Sequence, residues 1–176
     1  RSTPSNSSAA SDVYKRQAVM RYAESLEDYE EKTDLRKLLG RTRSSIRSDV
    51  SVIHISPRFK HLVKLEKIYN EAREFVMVNS DNAITVIVDN DLVEDVLKMI
   101  GKASVISVDR DNCIVLLTSP PKIERTLGFV AFVSDLLARY GINIKEYYSC
   151  YTDTVFILSK KDAIRAYELL ESMADY

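Results

Sequence analysis

The sequence is short of the residues that build most chemical centres. In 176 residues there are two cysteines, two histidines, four glycines and four prolines. Cys113 and Cys150 both lie in apolar, strand-like runs. They read as buried, reduced thiols, which argues against a disulfide framework or a metal site. His54 and His61 stand without any CxxC or HExxH spacing around them and read as ordinary core or surface histidines. P-loop, GxSxG and GxGxxG patterns are missing, so no catalytic residue and no cofactor is expected. No apolar run approaches the roughly 20 residues of a membrane span, and no basic-apolar-small leader is present. The formal net charge of −1 supplies no bulk field toward nucleic acid or an acidic surface. Together these absences point to a cytoplasmic protein that does not carry out solution chemistry alone.

What is present is an internal echo. Residues 82–100, NAITVIVDNDLVEDVLKMI, return in altered form as residues 152–170, TDTVFILSKKDAIRAYELL. The alignment pairs Val86 with Phe156, Ile87 with Ile157, Val88 with Leu158, Val96 with Ala166 and Ile100 with Leu170. Each copy reads as an apolar strand, a short charged turn and an amphipathic helix, one supersecondary module used twice.

The rest of the chain fits around that echo. Residues 1–17 are Ser-rich and without periodicity, which predicts disorder. The stretch SNSSAASDVYKRQ also resembles translated adapter sequence in metagenomic reading frames, so residues 1–17 are read as a non-native tail. Residues 18–47 read as a helical segment and basic linker. Val19, Tyr22, Leu26 and Tyr29 make one helical stripe, and a second short helix runs from Leu35 to Leu39, stopped by Gly40. Lys32, Arg36, Lys37, Arg41, Arg43 and Arg47 form a basic cluster. It reads as a solvated linker, or as a nucleic-acid contact through phosphate neutralisation.

Residues 48–110 then read β-α-β-β-α-β. The elements are a strand before Ser56-Pro57, a helix with Leu62, Val63, Leu65 and Ile68 on one face, Phe75–Val78, Ala83–Val88, Leu92–Ile100 and Ala103–Val108. Residues 111–176 restart the order with Cys113–Thr118, a helix Leu127–Tyr140 stopped by Gly141, a strand from Ile142 through Tyr148, Val155–Leu158 and a helix capped by Asp162. The last strand of this second copy is missing. Either a neighbouring strand fills its place or the sequence stops before it. The predicted fold is therefore α+β: two ferredoxin-like βαββαβ modules, antiparallel sheets with helices on one face.

The helix at 127–140 is apolar nearly all round, through Leu127, Phe129, Val130, Ala131, Phe132, Val133, Leu136, Leu137 and Ala138. That predicts burial on more than one side, against a second module, a second chain or the N-terminal helix. Its opening, Leu127-Gly128-Phe129, removes a side chain where helix N–H groups are open, which suits a small carboxylate.

Residues 128–144, GFVAFVSDLLARYGINI, resemble the helix-and-strand core of ACT domains, small amino-acid-sensing regulatory modules. The family's usual Pro-Gly at the helix start is Leu127-Gly128 here. Residues 149–171 are similar to the corresponding stretch of the regulatory region of aspartate kinases. The span of about 44–173 also resembles stand-alone tandem ACT proteins of archaea and related microbes. The resemblance implies an effector, commonly an amino acid, held at a module or chain interface. By position it implies Leu127, Gly128, Phe129 and Val130 on one side of the ligand, with backbone N–H groups on its carboxylate. Asn143 and Ile144 would stand on the other side. Kinase activity is not implied, since no kinase catalytic domain is present.

The sequence thus predicts a regulatory amino-acid sensor that forms a homodimer through ACT modules. Two other functions remain open: a DNA-binding regulator reading through 18–47, and a ligand-free interaction module acting on an amino-acid biosynthetic enzyme. The first helix of the first copy has no counterpart of Gly128, which predicts binding in the second copy alone.

Overall fold

A computed structural model describes residues 17, 21, 32–58 and 65–172. The stripe of Val19, Tyr22, Leu26 and Tyr29, the residues His61, Leu62 and Val63, and most of the 1–17 tail lie outside the described residues. The elements are α1 Lys32–Leu39, β1 Arg43–Ile55, α2 Glu66–Glu71, β2 Phe75–Asn79, β3 Ile84–Asp89, α3 Val93–Ile100, β4 Val105–Thr118, α4 Phe129–Arg139, β5 Ile144–Cys150, β6 Asp153–Ser159 and α5 Lys160–Glu171. The α+β class and the ferredoxin-like character hold.

Chain contacts divide the protein into two compact units, residues 47–114 and residues 1–46 with 115–176. In the 47–114 unit the strands stand in the order β2-β3-β1-β4. Both β1 and β2 run antiparallel to β3, with Ile53 opposite Val86 and Phe75 opposite Val88. The Asn79–Asn82 signal makes the β2–β3 hairpin, closed by Ser80 N–H on the Ala83 carbonyl at 2.9 Å. Every second residue of the strands turns inward. Ile53, Ile55, Ile84, Val86 and Val88 meet Leu65, Ile68, Val93, Val96 and Ile100 in one core.

The other unit has the order β5-β6-β4, and the opening residues of β1 take the place beside β4. Thr42 and Ser119 share a hydroxyl–hydroxyl hydrogen bond of 2.9 Å, and the Ser44 N–H and hydroxyl both reach the Glu171 carboxylate. The strand place beside β4 in this unit is thus taken by Arg43–Ile46, from upstream of the first module. The core of this unit joins Val115, Leu117, Phe156 and Leu158 to Phe132, Val133, Leu136, Leu137, Ala166 and Leu170.

Four sequence expectations change. The strand at 43–46 replaces the end of the expected linker: RSSI lacks alternating apolar residues, so its strand is set by backbone pairing rather than burial. The expected break at 110/111 is a continuous strand, β4. Within it Asp109 Oδ1 accepts the Asp111 N–H at 3.1 Å and Asn112 Nδ2 donates to the Asp109 carbonyl at 2.8 Å. Cys150 is exposed while Cys113 is buried, because β5 is an outer strand and Cys150 sits at its end. Asp162 is the third residue of α5 rather than its cap. Ser159 precedes the helix and donates its hydroxyl to Asp162 Oδ2 at 2.8 Å.

The echo survives in detail. Val86, Ile87, Val88, Val96 and Ile100 are all buried, and so are Phe156, Ile157, Leu158, Ala166 and Leu170.

Candidate functional site

The α4 region gathers four of the six residues expected at a ligand. A turn of 3₁₀ helix, Pro121–Arg125, leads to Thr126, whose hydroxyl donates back to the Lys122 carbonyl at 2.9 Å. Gly128 then adopts a left-handed backbone with φ 83 and opens α4 without any side-chain cap. The first intrahelical bond, Phe132 N–H to the Gly128 carbonyl, is 2.8 Å. The earlier N–H groups of the first turn have no acceptor within the helix, and the helix dipole makes this end favourable to an anion.

The side chains around this end are unequal. Phe129 is buried in the core, whereas Leu127 is 60% and Val130 39% exposed. Burial along α4 falls on Phe129, Phe132, Val133, Leu136 and Leu137, a single stripe at helical spacing. Val130, Ala131 and Ala138 are exposed. The expected all-round burial is therefore reduced to one face. The extra cover on that face is α1, whose Leu35, Leu38 and Leu39 belong to the same core. A Cβ at Gly128 would meet Leu35 Cδ2 at 3.9 Å. Lys122 and Asp34 tie the 121–125 turn to α1 through an ion pair of 2.7 Å. The hydrogen bond from Lys122 is the main reason the Asp34 carboxyl titrates below its ordinary range.

Asn143 and Ile144 are elsewhere. Gly141, at φ 67, turns the chain out of α4, and the Ile142 N–H reaches back to the Leu137 carbonyl at 3.0 Å. Asn143 follows in the open, and half-buried Ile144 begins β5. The 11 residues of α4, at ~1.5 Å each, set its two ends about 16 Å apart. So the structure brings Leu127, Gly128, Phe129 and Val130 together and places Asn143 and Ile144 at the far end of the same helix.

Other polar side chains take structural places. His54 Nδ1 lies 3.1 Å from the hydroxyl of Thr85, its partner across the β1–β3 ladder. Asp153 accepts a hydrogen bond from the Thr118 hydroxyl at 2.8 Å. Among the described residues no group of three or more His, Cys, Asp or Glu side chains could hold a metal, and no helix is long and apolar enough to cross a membrane. Of the basic cluster, Arg36, Lys37, Arg41 and Arg43 are exposed. Arg47 pairs with Glu74 at 2.6 Å.

The comparisons with known proteins speak to the fold. The regulatory subunit of aspartate kinase from Thermus thermophilus, in its ligand-free form, superposes with a TM-score of 0.59 at 15% identity, over 74% of this chain and 95% of that one. The aspartokinase alpha and beta subunits give 0.61 at 18% identity, over 76% and 97%. The fold is that of an aspartate kinase regulatory region. Against the whole aspartate kinase of Clostridium acetobutylicum the TM-score is 0.61 at 12% identity, and the match spans 34% of that enzyme. A Vibrio cholerae protein of unknown function, described as a possible transport protein, is similar at a TM-score of 0.62 and 15% identity, over 82% of this chain and 99% of that one. No family model and no curated protein sequence matches the chain. At these identities the kinship is one of fold, and the ACT resemblance read from residues 128–144 agrees with it.

Proposed function

We propose that this protein is a regulatory sensor that binds an amino acid at the N-terminus of α4 in a complex of two copies, without chemistry of its own. The observation that carries the reading is the start of α4. Gly128 at φ 83 leaves the first-turn N–H groups uncapped, between the exposed side chains of Leu127 and Val130. Such an end offers N–H donors to a carboxylate and apolar contact to a side chain. The separation of Asn143 and Ile144 from that end argues for two copies. The α4 start of one protomer would meet the β5 start of its partner, closing the ligand between them. Ligand binding would then shift the balance between assembly states, which is how a sensor of this kind reports. The likeness to aspartate kinase regulatory regions supports the same reading by analogy of fold.

Thermal shift and calorimetry against the twenty amino acids and the nucleobases test the proposal, with sedimentation run in parallel. One amino acid should stabilise the protein and favour the dimer. Gly128→Asp should remove that binding by setting a carboxylate against the incoming one. Gly128→Asn, which tolerates the same backbone, should retain more of it. No stabilisation by any of these compounds would reject the proposal.

A further inference from the structure

The 47–114 unit, where the sequence predicts no binding, carries a pocket of its own. It is open to solvent, has a volume of about 310 Å³, and is lined by Arg47, Ser48, Val50, Arg73, Glu74 and Asp89. The ladder explains why these residues meet. Phe75 stands opposite Val88 and Val50 opposite Asp89, so the end of β3 lies beside the start of β2 and the middle of β1. Asp49, at φ 64, breaks the regular strand geometry of β1 next to Ser48.

The charges are layered. Asp89 and Glu74 form the inner layer, with side chains 5% and 14% exposed. Both are already engaged. Asp89 Oδ2 accepts the N–H groups of Arg73 at 2.7 Å and Glu74 at 3.2 Å, and its Oδ1 forms an ion pair with Arg73 Nη2 at 3.0 Å. Glu74 Oε2 accepts Arg47 Nη1 at 2.6 Å. Arg47 and Arg73 form the outer layer, 52% and 78% exposed. A guanidinium has five N–H donors in a planar fork. One ion pair engages a single terminal nitrogen of each fork, and both arginine side chains stay more than half exposed. The carboxylates therefore serve as holders, and the surface an incoming molecule meets is cationic.

We infer that this pocket binds a small anion bearing a carboxylate or phosphate group, gripped by the forks of Arg47 and Arg73. Its volume is at the lower end of the ~300–1,000 Å³ of small-molecule sites, which selects a metabolite-sized ligand over a macromolecule. Paired forks match the planar oxygens of a carboxylate or the oxygens of a phosphate in a way that two ammonium groups do not. This site is distinct from the α4 start and stands or falls without it.

The experiment follows the arginine Nε–H resonances of the full chain during titration with inorganic phosphate and, separately, succinate. Saturable shifts at Arg47 and Arg73 with either probe are expected, and the probe that saturates at lower concentration identifies the group. Arg47→Gln should weaken binding by about ten-fold or more. Arg73→Lys keeps a cation for Asp89 but loses the fork, and it should weaken binding comparably while the fold persists. Gly128→Asp should leave this titration unchanged, which separates the site from the α4 reading. The inference is overturned if neither probe shifts these resonances saturably, or if both arginine variants bind as the parent does.

Discussion

Gly128 holds a backbone conformation that L side chains rarely adopt, yet the space around it is ordinary. Its φ is 83, and an added Cβ would touch only Leu35 Cδ2, at 3.9 Å. Strain rather than packing therefore sets the cost of a substitution. Gly128→Ala should lower stability by ~1–2 kcal/mol, the usual penalty of a left-handed residue, and Gly128→Asn by less. Urea midpoints at constant slope would show it; equal midpoints for Ala and Asn would mean that packing decides instead. A second residue-scale test concerns Asp34. Its titration lies below the ordinary carboxylate range chiefly because Lys122 hydrogen-bonds to it. A group depressed in the folded state stabilises above its unfolded pKa and loses that contribution as pH falls through its folded value. Lys122→Met should raise the Asp34 pKa, read from carboxyl chemical shifts, and flatten the acid side of the stability curve. An unmoved Asp34 would show that another group holds it.

At the scale of the element, α4 shows how far a sequence pattern reaches. Its stretch of apolar residues gave the right helix and the right end at Gly141, but its composition overstated its burial. Composition counts Val130, Ala131 and Ala138 as core, whereas the 3.6-residue period puts Phe129, Phe132, Val133, Leu136 and Leu137 on the inner stripe. The period was the better guide. Phe132→Ala should cost ~3–5 kcal/mol, as a fully buried aromatic ring removed from a packed core. Val130→Ser, on the open face, should stay within about 0.5 kcal/mol. If the α4 start is a dimer-closing site, the same Val130→Ser should still weaken assembly or amino-acid binding. A chemical denaturation series on both variants, with sedimentation of the second, separates core from surface. The pocket residues were less legible. Arg73 and Glu74 precede β2 and Asp89 ends β3, so each reads alone as a turn residue. The signal was the hairpin register, which puts positions 74 and 89 at one end of the ladder once Phe75 is paired with Val88.

At the scale of the whole molecule, the echo made the two modules visible but not how the chain is shared between them. Periodicity reports which residues turn inward, and the repeat reports that a module recurs. Neither tells which strand supplies a missing neighbour, because pairing satisfies backbone groups that every residue carries. Hence RSSI at 43–46 looked like linker, and Asp109–Asn112 looked like a boundary. In the structure β1 and β4 each give residues to both units. A consequence follows for truncation. A chain beginning at Arg47 keeps every described strand and helix of the 47–114 unit, whose core needs nothing from upstream. The unit containing 115–172 instead loses the strand residues Arg43–Ile46 and the core leucines Leu35, Leu38 and Leu39. Hydrogen exchange on this truncated chain should therefore show lost protection across α4, β6 and α5. Protection should persist in the 50–55 part of β1, in β3 and in α3, since units of this kind open as local cooperative blocks. Uniform loss across both units would mean that they fold as one, and uniform retention would mean that Arg43–Ile46 and α1 are dispensable.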